Sequence, residues 1–240
     1  MEIKEFGTIY LDGQPCEFDR EYNGEIISFG NTVLGNAIPF VRWNDGWVSS
    51  LILCPHASWE DLENHRFITG YPVLIDGDAY LCRAPRVGTK VGDFSEWDDI
   101  LDKFGEADDL WHCKGRYFWG QEKSPFQENS REAHVVRGFS SAHRRSECYT
   151  THRYKTVGFR PILEPLSPAS LVTNALIEAR LRVYGPDCDI VGRLVAFSEY
   201  DLVIQPSDWQ RLSTGSKWAS MVENNIVVDR SAITWIREEA

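Results

Sequence analysis

The chain has 240 residues, 42% of them apolar and 25% charged, with a formal charge of −11. That balance is globular and excludes a disordered chain; no apolar run approaches the ~20 residues of a membrane helix, and the length allows one large domain or two modest ones. The acidity repels nucleic acid and anionic membranes on average, so a phosphate ligand would need a local basic pocket. The charge is uneven: residues 168–240 are net −3 and residues 1–167 net −8, with eight carboxylates against one lysine over 93–109. Residues 1–10 include Glu2 and Glu5 and no apolar signal core, which predicts no secretion signal. The six cysteines, at 16, 54, 82, 113, 148 and 188, form no C-x-x-C pair. Free thiols in a reducing compartment are expected.

Residues 26–29, 38–43 and 47–54 are rich in β-formers, and Asn44-Asp45-Gly46 is a hairpin-type turn. Ser58, with Asp61 three residues on, predicts the start of a short helix. Residues 71–75 and 79–84 flank Asp76-Gly77, a second hairpin signal. Ser95 predicts another N-cap; Trp97, Ile100, Leu101 and Phe104 follow helical spacing, and Gly105 is placed to end the helix. Residues 110–120 are aromatic, and 135–141 and 156–163 read as strands around a polar, basic stretch without period. Prolines 161, 165 and 168 break the chain, and 164–168 reads as a linker. Ser167-Pro168 then predicts a helix over 171–179. Five strands are expected at 181–184, 189–196, 202–204, 226–228 and 232–236, with 205–225 as a polar insertion. A short helix followed by five strands implies a small barrel, and domains at 1–165 and 168–240.

Residues 136–163 read VRGFSSAHRRSECYTTHRYKTVGFRPIL. This segment resembles the C-terminal core of C-type-lectin-like domains of the formylglycine-generating-enzyme type, where an R-G-G-S segment precedes an irregular loop and a G-F-R strand closes the fold. Arg137, Gly138 and Ser140 match the first element, with Phe139 for the second glycine; Gly158, Phe159 and Arg160 match the second. Residues 26–165 also resemble uncharacterised proteins of Firmicutes and their phages. Formylglycine-type oxidases hold copper between two cysteines five residues apart in the loop, a soft pair suited to copper(I). Here Cys148 sits near the second position and His143 stands five residues before it, so the resemblance implies a binding protein without a cofactor more than an oxidase.

In retroelement-diversified proteins of this fold, residues between the two motifs project onto one binding face. The corresponding residues are His143, Arg144, Arg145, Ser146, Glu147, Tyr149, Thr150, Thr151, His152 and Tyr154, with Trp119 expected to border them. Tyrosine and arginine give rigid contact area and multiple hydrogen bonds, and small polar residues fill gaps. Over 142–157, Arg144, Arg145, Arg153 and Lys155 meet a single acid, Glu147. The plainer alternative is a solvated loop that balances the acidic run at 93–109.

Residues 181–240 resemble an Sm-like fold, with 192–204 similar to its first motif and 226–233 to its second. That resemblance implies nucleotide contacts at Arg230 and Tyr200, with Asp229 working against them. The alternative is a structural barrel that docks or forms homo-oligomers through open strand edges. No phosphate-binding loop, dinucleotide fingerprint, H-E-x-x-H or G-x-S-x-G occurs. The expectation is thus an α+β protein: a C-type-lectin-like domain followed by a small all-β Sm/SH3-like barrel with a short N-terminal helix. Its expected role is non-enzymatic binding of a protein or other macromolecule, as a phage or prophage product in the cytoplasm or on the virion. The alternatives are a phage counter-defence or sequestering protein with an oligomeric Sm-like pocket, and a copper-dependent oxidase.

Overall fold

The computed structural model describes residues 1–125, 131–166, 172–186, 188–207 and 217–239. They divide into two compact units, Met1–Pro165 and Leu166–Ala240. Among the described residues strand outweighs helix by 44% to 11%, so the fold is mostly β, in several curled sheets, and not α+β as the sequence implied. The helices at Ser58 and Ser95 do form but are short, and extended segments without an alternating pattern add strands that the sequence did not announce.

The first unit begins with β1 (Ile3–Phe6), β2 (Thr8–Leu11), β3 (Gln14–Pro15) and β4 (Ile27–Gly30), then the hairpin β5 (Ile38–Trp43) and β6 (Gly46–Ser49). The strand expected to run to residue 54 stops at Ser49. Ser58 caps α1 (Trp59–Asn64) in a full capping box with Asp61. The hairpin β7 (Tyr71–Ile75) and β8 (Asp78–Arg83) turns at Asp76-Gly77, both at positive φ. Ser95 caps α2 (Glu96–Phe104), which ends at Gly105. After α3 (Asp108–Trp111) come β9 (Tyr117–Lys123), β10 (Ala133–Gly138), β11 (Arg145–Tyr149), β12 (Val157–Gly158) and β13 (Ile162–Pro165). Glu164 and Pro165, read as linker, thus belong to a strand. It pairs with β6 and β8 inside the six-stranded sheet β1-β5-β6-β13-β8-β7.

A second sheet, ordered β11-β10-β9-β12, has core on both faces. Trp119 and Val136 belong to a cluster with Phe29, Phe67 and Phe159; their chain neighbours Phe118 and Val135 belong to another with Trp97, Ile100 and Trp111. Successive residues of a strand point to opposite faces, so a sheet buried on both sides needs an unbroken apolar run. This explains the dense aromatics over 117–119. Gly138 is required in this frame: at φ +119, an added Cβ would lie 2.4 Å from the Arg116 carbonyl oxygen.

The second unit is a six-stranded antiparallel sheet, order β17-β18-β16-β15-β14-β19, and not the five-stranded arrangement expected. Its strands are β14 (Arg180–Tyr184), β15 (Asp189–Phe197), β16 (Asp201–Pro206), β17 (Ala219–Val222), β18 (Asn225–Asp229) and β19 (Trp235–Glu238). Leu181, Val183, Ile190, Leu194, Leu202, Ile204, Ile226, Val228 and Ile236 fill one core. The helix expected over 171–179 is a single 3-10 turn, Asn174–Leu176. Glu178 lies at φ +72, which no α-helix accommodates, and the backbone bonds of Glu178 and Ala179 go sideways to Leu194 of β15. The Ser167-Pro168 cap falls outside the described residues, as do 208–216 of the polar insertion; its end forms β17. The last expected strand starts late, at Trp235, because residues 230–232 form a 3-10 turn.

Candidate functional site

Two fully buried arginines, Arg137 and Arg160, bracket the basic segment. The Arg160 guanidinium lies 4.9 Å from the Trp97 ring centroid and 4.8 Å from that of Phe118, and donates to the carbonyls of Ser49 and Trp111. Arg137 donates to the Val87 carbonyl at 2.9 Å and to the Asp98 carboxylate of α2 at 2.5 Å. Burial pushes the Asp98 carboxyl up, but the Arg137 hydrogen bond and charge outweigh it and hold the group below the usual carboxylate range. Arg145 shares Asp98 from the other side, and His143 stands 3.8 Å from it.

Between these anchors the chain is not one irregular loop. Residues 145–149 form β11, antiparallel to β10, with Arg145 opposite Arg137 and Tyr149 opposite Ala133. At ~3.4 Å per residue the strand separates the expected site residues into two groups. At one end, His143 and Arg145 lean on the acidic helix α2, so the balancing role weighed for this segment holds for Arg145. Arg144, exposed beside them, has no side-chain partner among the described residues. At the other end, Tyr149, Thr150, Thr151 and His152 line a cleft of about 340 Å³ with Glu60 of α1, Arg131 and Glu132. The Arg131 guanidinium lies 5.6 Å from the Tyr149 ring, and the rings of His152 and Tyr154 are 4.5 Å apart. Ser146 is half-buried and Glu147 is exposed.

Hydrogen bonds, an ion pair and a stacked ring fix the cleft. The Glu60 N–H donates to the Thr150 carbonyl at 3.2 Å, and the Thr150 hydroxyl donates to the Glu132 carbonyl at 2.9 Å. That leaves the Thr150 oxygen to accept from Nδ1 of His134, 3.1 Å away. His134 is stacked on Trp59 at 3.7 Å, and burial pulls its pKa down to about 4, so the ring is neutral. Asp61, the capping acid of α1, holds Arg153 in a two-pronged pair at 2.7 and 2.8 Å. The segment is therefore clasped to α1 as well as to α2.

Trp119 does not border the surface. It is fully buried, and its indole N–H donates to the Ala57 carbonyl at 2.9 Å. Cys148 faces the opposite side of β11 from Arg145 and packs against the core; burial, with the Glu147 charge, pushes its thiol up to about 12. His143 lies outside the strand, so the two residues matched to the copper pair do not share an environment. In the second unit Arg230 and Tyr200 do meet, through an Arg230 N–H to Tyr200 carbonyl bond of 2.7 Å. The Arg230 guanidinium is committed internally, donating to the Ser198 carbonyl at 2.8 Å and lying over Phe197. The cleft residues Glu60, Arg131 and Glu132, and the supporting His134, escaped sequence reasoning. Only His134, a polar residue inside the apolar run 133–136, carried a signal. Among the described residues no helix is long and apolar enough to cross a membrane.

Comparison with protein-family models, with curated proteins and with solved structures returns no match.

Proposed function

We propose that this protein is a non-enzymatic binding protein that grips a protein or other macromolecule with the surface from His143 to Tyr154. The observation that carries the reading is the contrast between a fixed frame and an uncommitted rim. Arg137, Arg145 and Arg153 are spent on Asp98 and Asp61. Arg144, Glu147, Thr151 and His152 stay exposed on that frame, beside a cleft that Tyr149 and Arg131 help to line. A backbone already fixed has little loop-ordering entropy left to lose on binding. Tyrosine, arginine, histidine and threonine together offer flat contact area and hydrogen bonds of both senses.

The test is a triple variant, Arg144→Ala, Tyr149→Ala, His152→Ala, compared with the intact chain as bait in a Firmicute lysate. Arg144 and His152 are exposed and Tyr149 is half-buried at the cleft wall, while the frame is held by Arg137, Arg145 and Arg153, so circular dichroism and the melting midpoint should stay near wild type. Molecules retained specifically by the intact chain should be lost by the variant. Equal retention by both would place the function elsewhere.

A further inference from the structure

We propose that the outer edge of β11 accepts an added β-strand, supplied by an extended peptide segment of a partner protein with carboxylates about five residues apart. The inference rests on the binding surface proposed above and names the partner class for it.

β11 is the end strand of its sheet, paired on one side only among the described residues. The bonds Gly138 N–H to Arg144 carbonyl and Thr150 N–H to Glu132 carbonyl, both 3.0 Å, fix which positions face β10. With that register, residues 144, 146, 148 and 150 turn their backbone groups inward, and Arg145, Glu147 and Tyr149 turn theirs outward. The Tyr149 N–H is taken by the Tyr154 hydroxyl at 3.3 Å, which confirms the outward direction and closes that end. The N–H and C=O groups of Arg145 and Glu147 have no partner among the described residues. Four main-chain groups thus stand ready in the pattern that another strand satisfies.

Charge selects the occupant. Arg144 precedes the open edge, and Arg131 lies over Tyr149 at its far end. Neither has an acidic partner among the described residues, whereas the arginines at 137, 145 and 153 all do. Five residues of strand span roughly 17 Å, so a peptide laid along the edge would meet these cations with carboxylates near its two ends. Its main chain would pair with Arg145 and Glu147, and one side chain would enter the cleft at Thr151 and His152.

The edge also provides its own control. Proline is tolerated in an edge strand where the missing N–H faces away from the sheet, which is the situation of Glu147. Random 12-residue peptides displayed for selection on the full chain should enrich for Asp and Glu. The selected peptides, synthesised, should bind Glu147→Pro at least tenfold more weakly than Glu147→Ala, because only the proline removes the outward donor. N-methylation of alternate peptide amides should cause a comparable loss, and methylation of the intervening amides should not; this arm decides the matter if Glu147→Pro melts early. Peptides that bind Glu147→Pro and Glu147→Ala equally and ignore N-methylation, or a selection that enriches nothing, would overturn the added strand. If such peptides still lose affinity on Arg144→Ala and His152→Ala, the binding surface stands without it; if they are indifferent to those changes too, both readings fall.

Discussion

His134 shows how a single buried ring can carry a pH dependence for the whole first unit. Its ring is stacked on Trp59 and bonded to Thr150, with Glu132 and Lys123 nearby, and those two pair with each other at 2.9 Å. Burial lowers its pKa to about 4 from the ordinary 6.5. The unfolded chain therefore takes up the proton near pH 6.5 and the folded chain only near pH 4. Between those values the unfolded state binds more protons, so stability falls as the pH drops through the window. At ~1.4 kcal/mol per pKa unit the loss is up to about 3 kcal/mol. Denaturant midpoints at a series of pH values, wild type against His134→Gln, should diverge over pH 6.5–4; parallel curves would mean that the ring protonates freely in the fold. Arg160 is the opposite case, a charge that stays charged. It has no carboxylate in contact among the described residues, and three rings and two carbonyls solvate it instead. Its planar guanidinium suits that box, and the compact ammonium of lysine would not.

At the scale of elements, α2 controls how the basic segment is held. Asp98 sits in its first turn, where a negative charge is favoured by the helix dipole. It also neutralises Arg137, whose side chain is 0% exposed. Asp98→Asn would leave that guanidinium with the Val87 carbonyl and a neutral amide. Losing one partner of a buried pair costs about 3–5 kcal/mol. Asp98 itself is 30% exposed, so partial screening reduces the expectation to about 2–3 kcal/mol in urea unfolding. A change below about 0.5 kcal/mol would show that the carbonyl alone suffices. The contribution of the Asp98 carboxylate is present above its unfolded pKa of about 3.9 and is lost as the pH falls through its lower folded value. Its acid limb thus lies below that of His134. α2 was also the most legible element, because cap, period and terminator all agree over 95–105. β11 was the least. Arg-Ser-Glu-Cys-Tyr alternates in no property, and the strand exists because β10 supplies a partner ladder and Asp98 takes Arg145. Trp119 was misread for a related reason: an aromatic run looks the same on a sheet with two buried faces as on an exposed platform. Gly46 reads as a turn residue but lies in a strand, where an added Cβ would meet the Leu163 carbonyl at 2.4 Å, and no local pattern announces that approach.

On the scale of the whole molecule, the hydrophobic cores respect the division of the chain. Among the described residues, the two clusters of the first unit draw only on residues before 165, and the cluster of the second only on residues from 172 onward. Every partner of the 143–154 surface named above lies in the first unit: Asp98, Asp61, Glu60, Arg131, Glu132 and His134. The sequence marked this boundary through its prolines and a change in residue pattern, whereas overall class depended on long-range pairing. β13 lies more than a hundred residues from its neighbour β6 along the chain, and local periodicity cannot encode such a contact. Each unit having its own core, residues 1–165 alone should fold cooperatively. Its near-ultraviolet dichroism should retain the signal of the packed Trp97, Trp111, Phe118 and Trp119 rings. In calorimetry, the fragment's transition should match one component of the full chain's unfolding within a few degrees. It should also keep the acid limb assigned to His134, because every group that sets that pKa lies in the fragment. A fragment that melts without cooperativity, or that loses the limb while staying folded, would show that the second unit contributes to the frame of the surface.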